Sequence, residues 1–366
     1  MKKNFHHNLI VLGAGLTGMV LALRLAEENI KVCLVEKRKS NTKNLDRRTT
    51  AISKGSSIIL KKIGAWSEIE KNAQKIEKII VSEGISDQNL EFDPKSENYD
   101  SMGYIIDNGI FKRALEKLIK KNSNILVESN CDVENLDLPS RINRNRVVLK
   151  TKEKTLSCDL LLAADGRFSK TRFHAEVKYF YHDYKQSAYV FNIRHKKSHQ
   201  STALERFFPT GPLAILPMKC SKNKQSLVVW TVDNIHGDLL KLNPNQFLNE
   251  FNKRYDNFFG DIQHISDPIK FNLNIFSCYE FHNNKIVLVG DACQAIHPIA
   301  GQGFNLGVRD ADILAKSLSE AKGLGLKIEN ELVLRNYSRQ RVTDKFLLIQ
   351  ATHNLNKLFS INSRTI

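Results

Sequence analysis

The sequence predicts an α/β fold: a parallel-sheet domain, an inserted and mainly antiparallel β domain, and a C-terminal helical segment. Three observations predict it. Residues 8–36 read as strand, glycine turn, helix and strand. Two later apolar runs, residues 156–164 and 286–289, each lead into an acid beside a glycine. Between about Tyr179 and Phe276 the pattern shifts to short alternating runs parted by turn residues, as in antiparallel sheets.

Taken in order, residues 8–12 are the first strand, Gly13-Ala-Gly15-Leu-Thr-Gly18 the turn, residues 19–28 the helix and residues 31–35 the second strand, which ends on Glu36. A GxGxxG pattern alone is weak, but here strand, helix and trailing acid all surround it. In that setting Gly13 permits the tight turn, Gly15 admits a pyrophosphate and Gly18 lets helix and strand pack closely. Glu36 stands at the interval from which an acid accepts hydrogen bonds from an adenosine ribose.

Residues 46–53 (Asp-Arg-Arg-Thr-Thr-Ala-Ile-Ser) carry two arginines, which either pair with diphosphate oxygens or form a solvated basic turn. An amphipathic helix then runs through Leu60 and Ile63 to Gly64-Ala-Trp66, and residues 103–108 lead into a helix over residues 111–119. A strand at residues 124–127 continues toward Val133. Residues 156–164 form a buried strand that ends in Asp165-Gly166, with a helix start behind it.

Residues 187–193, 213–217 and 226–232 alternate as half-buried strands do, and residues 243–251 read as a short helix. This inserted sheet is expected to cover a cavity against the first domain. The chain returns to the parallel sheet at Lys285, and Gly290-Asp291 brings a carboxylate to a strand's carboxyl end, where open α/β sheets bind ligands. Gly301 and Gly303 let backbone N–H groups approach a ligand. The helix behind them, apolar at Leu306, Ala311, Leu314, Ala315 and Leu318, points its positive end at the turn. The expected division is residues 1–72, 98–177 and 278–366 for the nucleotide domain and residues 73–97 and 178–277 for the β domain.

At 366 residues there is room for such a pair of domains. A content of 42% hydrophobic and 26% charged residues excludes a disordered chain. The net charge of +16 invites a nucleic-acid reading, but the lysines scatter and no block interleaves them with aromatics. That leaves a Lys- and Asn-rich composition with no nucleic-acid site, and a basic face on anionic lipid stays open. The six cysteines show neither CxxC nor zinc spacing, so free thiols in a reducing compartment and no metal are expected. Met1-Lys-Lys before an apolar stretch superficially suggests a signal peptide, yet glycines interrupt it and Arg24 ends it. No other segment is long and apolar enough to cross a bilayer.

Gly13-x-Gly15-x-x-Gly18 with Glu36, Asp165-Gly166 and Gly290-Asp291, in this order, resemble the three fingerprints of the flavoprotein aromatic hydroxylases, the class A flavin monooxygenases. Within that group, residues 48–53, 64–66, 205–217 (Glu-Arg-Phe-Phe-Pro-Thr-Gly-Pro-Leu-Ala-Ile-Leu-Pro) and 297–307 (His-Pro-Ile-Ala-Gly-Gln-Gly-Phe-Asn-Leu-Gly) are similar to the ubiquinone-biosynthesis FAD-dependent hydroxylases. The similarity spans nearly the whole chain. It implies a Rossmann-like FAD-binding domain with an inserted substrate-binding β domain.

By the same resemblance Glu36 holds the adenosine ribose, Arg48 the diphosphate, and Asp291 the ribityl chain. Asn108 contacts the flavin, and Val133 touches the adenine side through its backbone. Asp165 and Gly166 belong to a motif associated with FAD and reduced nicotinamide. Gly290 forms the strand-end corner. Gly301, Gln302, Gly303, Phe304 and Asn305 present backbone donors to the pyrimidine end of the ring, where reduced flavin gathers negative charge. His297 and Pro298 shape the turn beside it. Cys293-Gln294 stands where many aromatic hydroxylases have a histidine, and glutamine is usual in the ubiquinone subgroup. The chain stops at Ile366 where relatives continue into another helix, which implies weaker membrane attachment, partner contact or cavity closure.

The implied chemistry uses NADH or NADPH and O2, with FAD passing through a C4a-hydroperoxide that an electron-rich phenolic ring attacks. The substrate is then a hydrophobic aromatic, a polyprenylated phenol or benzoquinol precursor of ubiquinone. A small soluble aromatic, or a non-catalytic flavin-binding scaffold subunit of a biosynthetic complex, are the other readings. No general base is identifiable; His199, Tyr189 and His297 are candidates by residue type alone. The expected location is cytoplasmic, with peripheral contact on the inner face of the membrane and with a ubiquinone-biosynthesis complex.

Overall fold

The computed structural model describes residues 3–38, 48–94, 99–297 and 301–360. Its parallel sheet runs in the order His282–Asn283, Ile286–Leu288, Lys154–Ala163, Lys3–Leu12, Val32–Val35, Ile125–Glu128. All four strands from Ile286–Leu288 to Val32–Val35, and Ile125–Glu128 beyond them, pair in parallel. The apolar runs are strands because both of their faces are covered. Leu9, Ile10 and Val11, Val32 to Val35, and Leu160 to Ala163 are buried among residues of the helices Leu16–Glu27, Asn108–Lys121 and Gly303–Gly323. The first strand begins at Lys3, earlier than its apolar run suggests, because Lys3 to His7 pair with Lys154 to Cys158 while remaining largely outside the core.

The second sheet has nine strands. Its long strand Tyr179–His195 joins Ile269–Cys278 on one side and Gln225–Asp233 on the other; Gly211–Pro217, Thr202–Phe208, Lys78–Glu83 and Asn89–Phe92 then complete that flank. Period-two alternation splits its residues between two environments. Tyr189, Phe191, Leu204, Leu213, Ile215, Val228 and Trp230 pack with Phe247, Phe251 and Tyr255 of the helix Pro244–Tyr255. That helix starts sharply because Asn243 and Gln246 cap each other and Pro244 fits the first turn. The intervening residues of the same strands are left facing the parallel-sheet side.

A third sheet of Thr49–Ser53, Gly103–Asp107 and Gln74–Ile76 lies in sequence between the two large ones. Residues 49–53 are thus a strand, where the sequence alone assigns no element; their partner is residues 103–107, too distant for local pattern to reveal. The large antiparallel sheet also takes in Gln294–Ala295. The helix Glu331–Ser360 closes the chain, with Tyr337 edge-on to Phe281 at 5.5 Å. Among the described residues no helix is long and apolar enough to cross a membrane.

Candidate active site

Each parallel strand passes its last hydrogen bond to a neighbour. Gly13 N–H donates to Val35 O at 2.8 Å, Ala164 N–H to Leu12 O at 2.9 Å, and Val289 N–H to Ala163 O at 2.9 Å. The carboxyl ends therefore form one ledge, and a cavity of about 740 Å³ opens along it. Gly13, Gly15, Glu36, Arg48, Asn108, Val133, Asp165 and Gly166 all border this cavity.

Two glycines have stated reasons to be glycine. Gly13 sits at φ +105°, and a Cβ there would come within 2.5 Å of Ala164 O. A Cβ on Gly18 would lie 1.9 Å from Gly13 O, so Gly18 serves helix-on-turn packing. Gly15 differs, since a Cβ there meets nothing within 4 Å and the space before it is open. It begins the helix Leu16–Glu27 with no side-chain cap and no acid in the first turn, so the first N–H groups face that space uncompensated. Glu36 Oε2 accepts from Ala14 N–H at 2.8 Å and Oε1 from Arg38 N–H at 3.0 Å, which fastens the acid to the turn.

Asn108 is held by Thr50 Oγ1, which donates to its Oδ1 at 2.6 Å, and its own N–H donates to Arg48 O at 3.0 Å. Asp165 Oδ2 accepts from Thr171 Oγ1 at 2.9 Å, while its Oδ1 is buried without a partner among the described residues.

A second cavity of about 750 Å³ lies under the antiparallel sheet, and Arg48 borders both. Its roof includes Val81, Val190, Ala203, Phe207, Ala214 and Val229, the alternate residues left free by the helix-facing core. Ala51, Ser53, Gly301, Gln302 and Asn305 line the opposite side. Asn305 braces that side: its Nδ2 donates to Ala51 O at 3.1 Å and its Oδ1 accepts from Ser53 N–H at 2.9 Å.

The last corner divides by role. Gly290 is buried, and a Cβ there would meet Thr17 Cγ2 at 2.9 Å, so it packs helix against turn and borders neither cavity. Its N–H donates to Asp310 Oδ2 at 2.9 Å. Asp291 keeps solvent access yet sits deep among protein atoms. That desolvation pushes its carboxyl above the ordinary carboxylate value, against the pull of Arg167 and Arg48. Gly303 has open space beside it, and Phe304 packs edge-on against Phe111 at 5.5 Å. His297 is buried; its Nε2 lies 3.3 Å from Gln186 Oε1, its Nδ1 has no partner among the described residues, and burial holds its pKa down to about 4. Pro298 and Arg47 lie outside the described residues.

Tyr189 and His199 are not brought to either cavity. Tyr189 faces the helix side, where its hydroxyl donates to Asp238 Oδ1 at 2.9 Å; His199 lies within 3.1 Å of both Met218 O and Ser201 N. Three residues that sequence reasoning passed over do matter. Arg167 lines the second cavity and donates to Asn274 O at 2.7 Å. Arg172 donates to Ala292 O at 2.9 Å and stacks on Phe276 at 4.2 Å, joining the 165–172 and 290–292 corners. Glu205 lines the second cavity, and desolvation alone raises its pKa to about 7. Arg167 and Arg172 could have been read from the run after Asp165-Gly166; Glu205 lies in the 205–217 stretch, where nothing in the local sequence marks a role for it.

The Glu205 shift has a thermodynamic consequence. An acid whose folded pKa is raised from 4.5 to about 7 makes the protein lose stability as pH climbs through that window, because the unfolded chain releases the proton first. Glu205→Gln should therefore gain on the wild type by about 1–3 kcal/mol at pH 8 and by little at pH 4.5. Paired thermal melts test this, and the paired comparison cancels the opposite contribution of His297. A constant difference across the range would contradict it.

Residues 7–341 match the family described as FAD binding domain. The chain is 30% identical over 364 residues to the ubiquinone hydroxylase UbiL of Rhodospirillum rubrum, covering 96% of this chain and 82% of that one. It is 30% identical over 365 residues to ubiquinone hydroxylase UbiM of Neisseria meningitidis, covering 98% and 78%. The chain belongs to the ubiquinone-biosynthesis FAD-dependent hydroxylase family. This flavoprotein is also 27% identical to the ubiquinone biosynthesis monooxygenase COQ6 of Drosophila melanogaster, over 97% of its own length and 83% of the other. Its fold matches p-nitrophenol 4-monooxygenase PnpA of Pseudomonas putida with a TM-score of 0.81 at 17% identity, covering 99% and 91% of the chains. The flavoprotein's first cavity fits its cofactor on its own terms. The space before Gly15 is open, the helix start behind it is uncapped, and Asp165 Oδ1 waits unpaired at the rim.

Proposed function

We propose that this flavoprotein hydroxylates the aromatic ring of a polyprenylated phenol or benzoquinol precursor of ubiquinone, using NAD(P)H and O2. The observation that carries this reading is the second cavity. Apart from Glu205 its roof is aliphatic and aromatic, its volume is about 750 Å³, and it meets the first cavity at Arg48. A ring bearing an isoprenoid chain needs an apolar chamber of that kind beside the redox group.

In this proposal the ledge residues Gly13, Gly15, Glu36 and Val133 hold the adenosine half of FAD, Arg48 the diphosphate, and Asp291 the ribityl chain. Asn108 and residues 301–305 hold the ring, with Asp165 and Gly166 at the junction. When bound and reduced by NAD(P)H, FAD supplies activated oxygen. The chain's own work is to orient the phenol and keep water out, which Val190, Phe207, Leu216, Val229 and Leu273 do by lining the chamber with hydrocarbon. The division into nucleotide and substrate domains, and a peripheral contact with the membrane or complex that holds so apolar a substrate, belong to the same proposal.

The test uses purified, flavin-loaded protein with NADH or NADPH and ¹⁸O₂. A prenylated phenol should stimulate reductant oxidation and acquire one labelled ring oxygen. Labelling of a bare soluble phenol, with the prenylated one inert, would replace this substrate class by the small-aromatic one. Flavin that NAD(P)H never reduces, with any phenol present, would favour a scaffold subunit.

A further inference from the structure

Among the sheet residues that roof the second cavity, one is charged. Glu205 lies on the strand Thr202–Phe208, directly across from Val81 on one neighbour and Ala214 on the other. Ala203 and Phe207, two residues to either side along the strand, share its face and line the same cavity. The row continues through Val229 and Val190. Arg206 points to the opposite face, where its guanidinium donates to Arg254 O at 2.7 Å. Arg48 and Arg167 border the cavity too, yet neither perturbs Glu205, and among the described residues Glu205 makes no hydrogen bond or ion pair.

An unpaired carboxyl among hydrocarbon costs stability that a leucine there would not. Packing therefore gives no reason for an acid in this row. Chemistry gives one, because the expected ligand is itself apolar everywhere except at its ring oxygens.

We propose that Glu205 is the residue that recognises the ring hydroxyl of the phenolic substrate, accepting its hydrogen bond and drawing off its proton as the ring is oxidised. The proposal rests on the reading of the cavity as a phenol site. The O–H bond breaks, the proton goes to a Glu205 carboxylate oxygen, and the electron pair stays on the ring oxygen. The ring becomes more electron-rich, and the proton returns to the product oxygen once the ring carbon has lost its own hydrogen to solvent. A carboxyl held near neutrality by its surroundings is better matched to a phenol than an ordinary one.

The experiment measures binding of a prenylated phenol and of its O-methyl ether to the flavin-loaded protein, followed by the change in flavin fluorescence. The wild type should prefer the phenol by about tenfold or more. Glu205→Leu should bind the two within about twofold of each other, with the ether held at least as well as by the wild type. Glu205→Gln should keep its flavin content while kcat for the phenol falls about 100-fold. If both variants keep the wild-type preference for phenol over ether, the assignment of Glu205 is overturned and the substrate class stands. If the wild type binds neither compound, the substrate class itself fails and this assignment fails with it.

Discussion

A Gly18→Ala protein should come off purification without flavin and with a markedly lower melting temperature. The added methyl would sit 1.9 Å from Gly13 O and 3.3 Å from Ala164 Cβ. Neither contact is with a flexible side chain, so the helix Leu16–Glu27 must shift off the strand Lys3–Leu12 that it covers. Such overpacking costs about 1–3 kcal/mol, and here the clash is with backbone, which places it at the upper end or beyond. Gly15→Ala is the informative partner. Its methyl enters open space, so the flavin-free protein should melt within a degree or two of wild type while flavin affinity falls. The ratio of flavin absorbance to protein absorbance, with a melt of each stripped protein, separates the two. Full flavin occupancy in the Gly18→Ala protein would mean that close helix packing is not what the third glycine provides.

Asp310→Ala should be the most damaging single change away from the cavities. Asp310 is fully buried and accepts from Gly290 N–H, from Gln294 Nε2 at 3.1 Å and from Arg341 Nε at 2.6 Å. Its loss leaves the buried Arg341 guanidinium with Asp344 as its remaining carboxylate partner among the described residues, and its Nε without one. Breaking such a pair from one side costs about 3–5 kcal/mol. The Gly290-Asp291 turn would also lose its anchor, so flavin binding should weaken with stability. Asp310→Ala combined with Arg341→Met should recover much of the stability but not the flavin affinity, because the charge is removed while Gly290 stays untied. Urea titration of single and double variants measures this. Equal losses in both would show that the pair is not the unit.

The corners proposed to hold the flavin were legible because their chemistry is local. Each is a buried strand followed within three residues by a glycine, an acid or both, and the structure brings Gly13, Glu36, Asp165 and Asp291 to one edge of one sheet. The antiparallel sheet was legible for a similar reason, since alternation at residues 187–193 and 226–232 survives in the register that pairs Val190 with Val229. What escaped notice depends on distant partners. The strand Thr49–Ser53 looks polar until Gly103–Asp107 pairs with it and Asn305, some 250 residues away, bonds Ser53. Gly290 stands at the strand-end corner expected of it, and the packing reason for its being glycine comes from Thr17, which local sequence does not show. Glu205 carries no local signal at all, because its meaning comes from Val81 and Ala214 on other strands.

The alternation of the antiparallel sheet gives neighbouring codons different fates. Tyr189, Leu204, Leu213, Val228 and Trp230 anchor the sheet to its helix, whereas Ala188, Val190, Ala203, Ala214 and Val229 meet whatever enters the chamber. On the proposed reading of the chamber, drift at the second set remodels substrate preference while the helix-facing core stays as it is. Within such a scaffold, new ring substrates are reachable one residue at a time, along every other position of a strand.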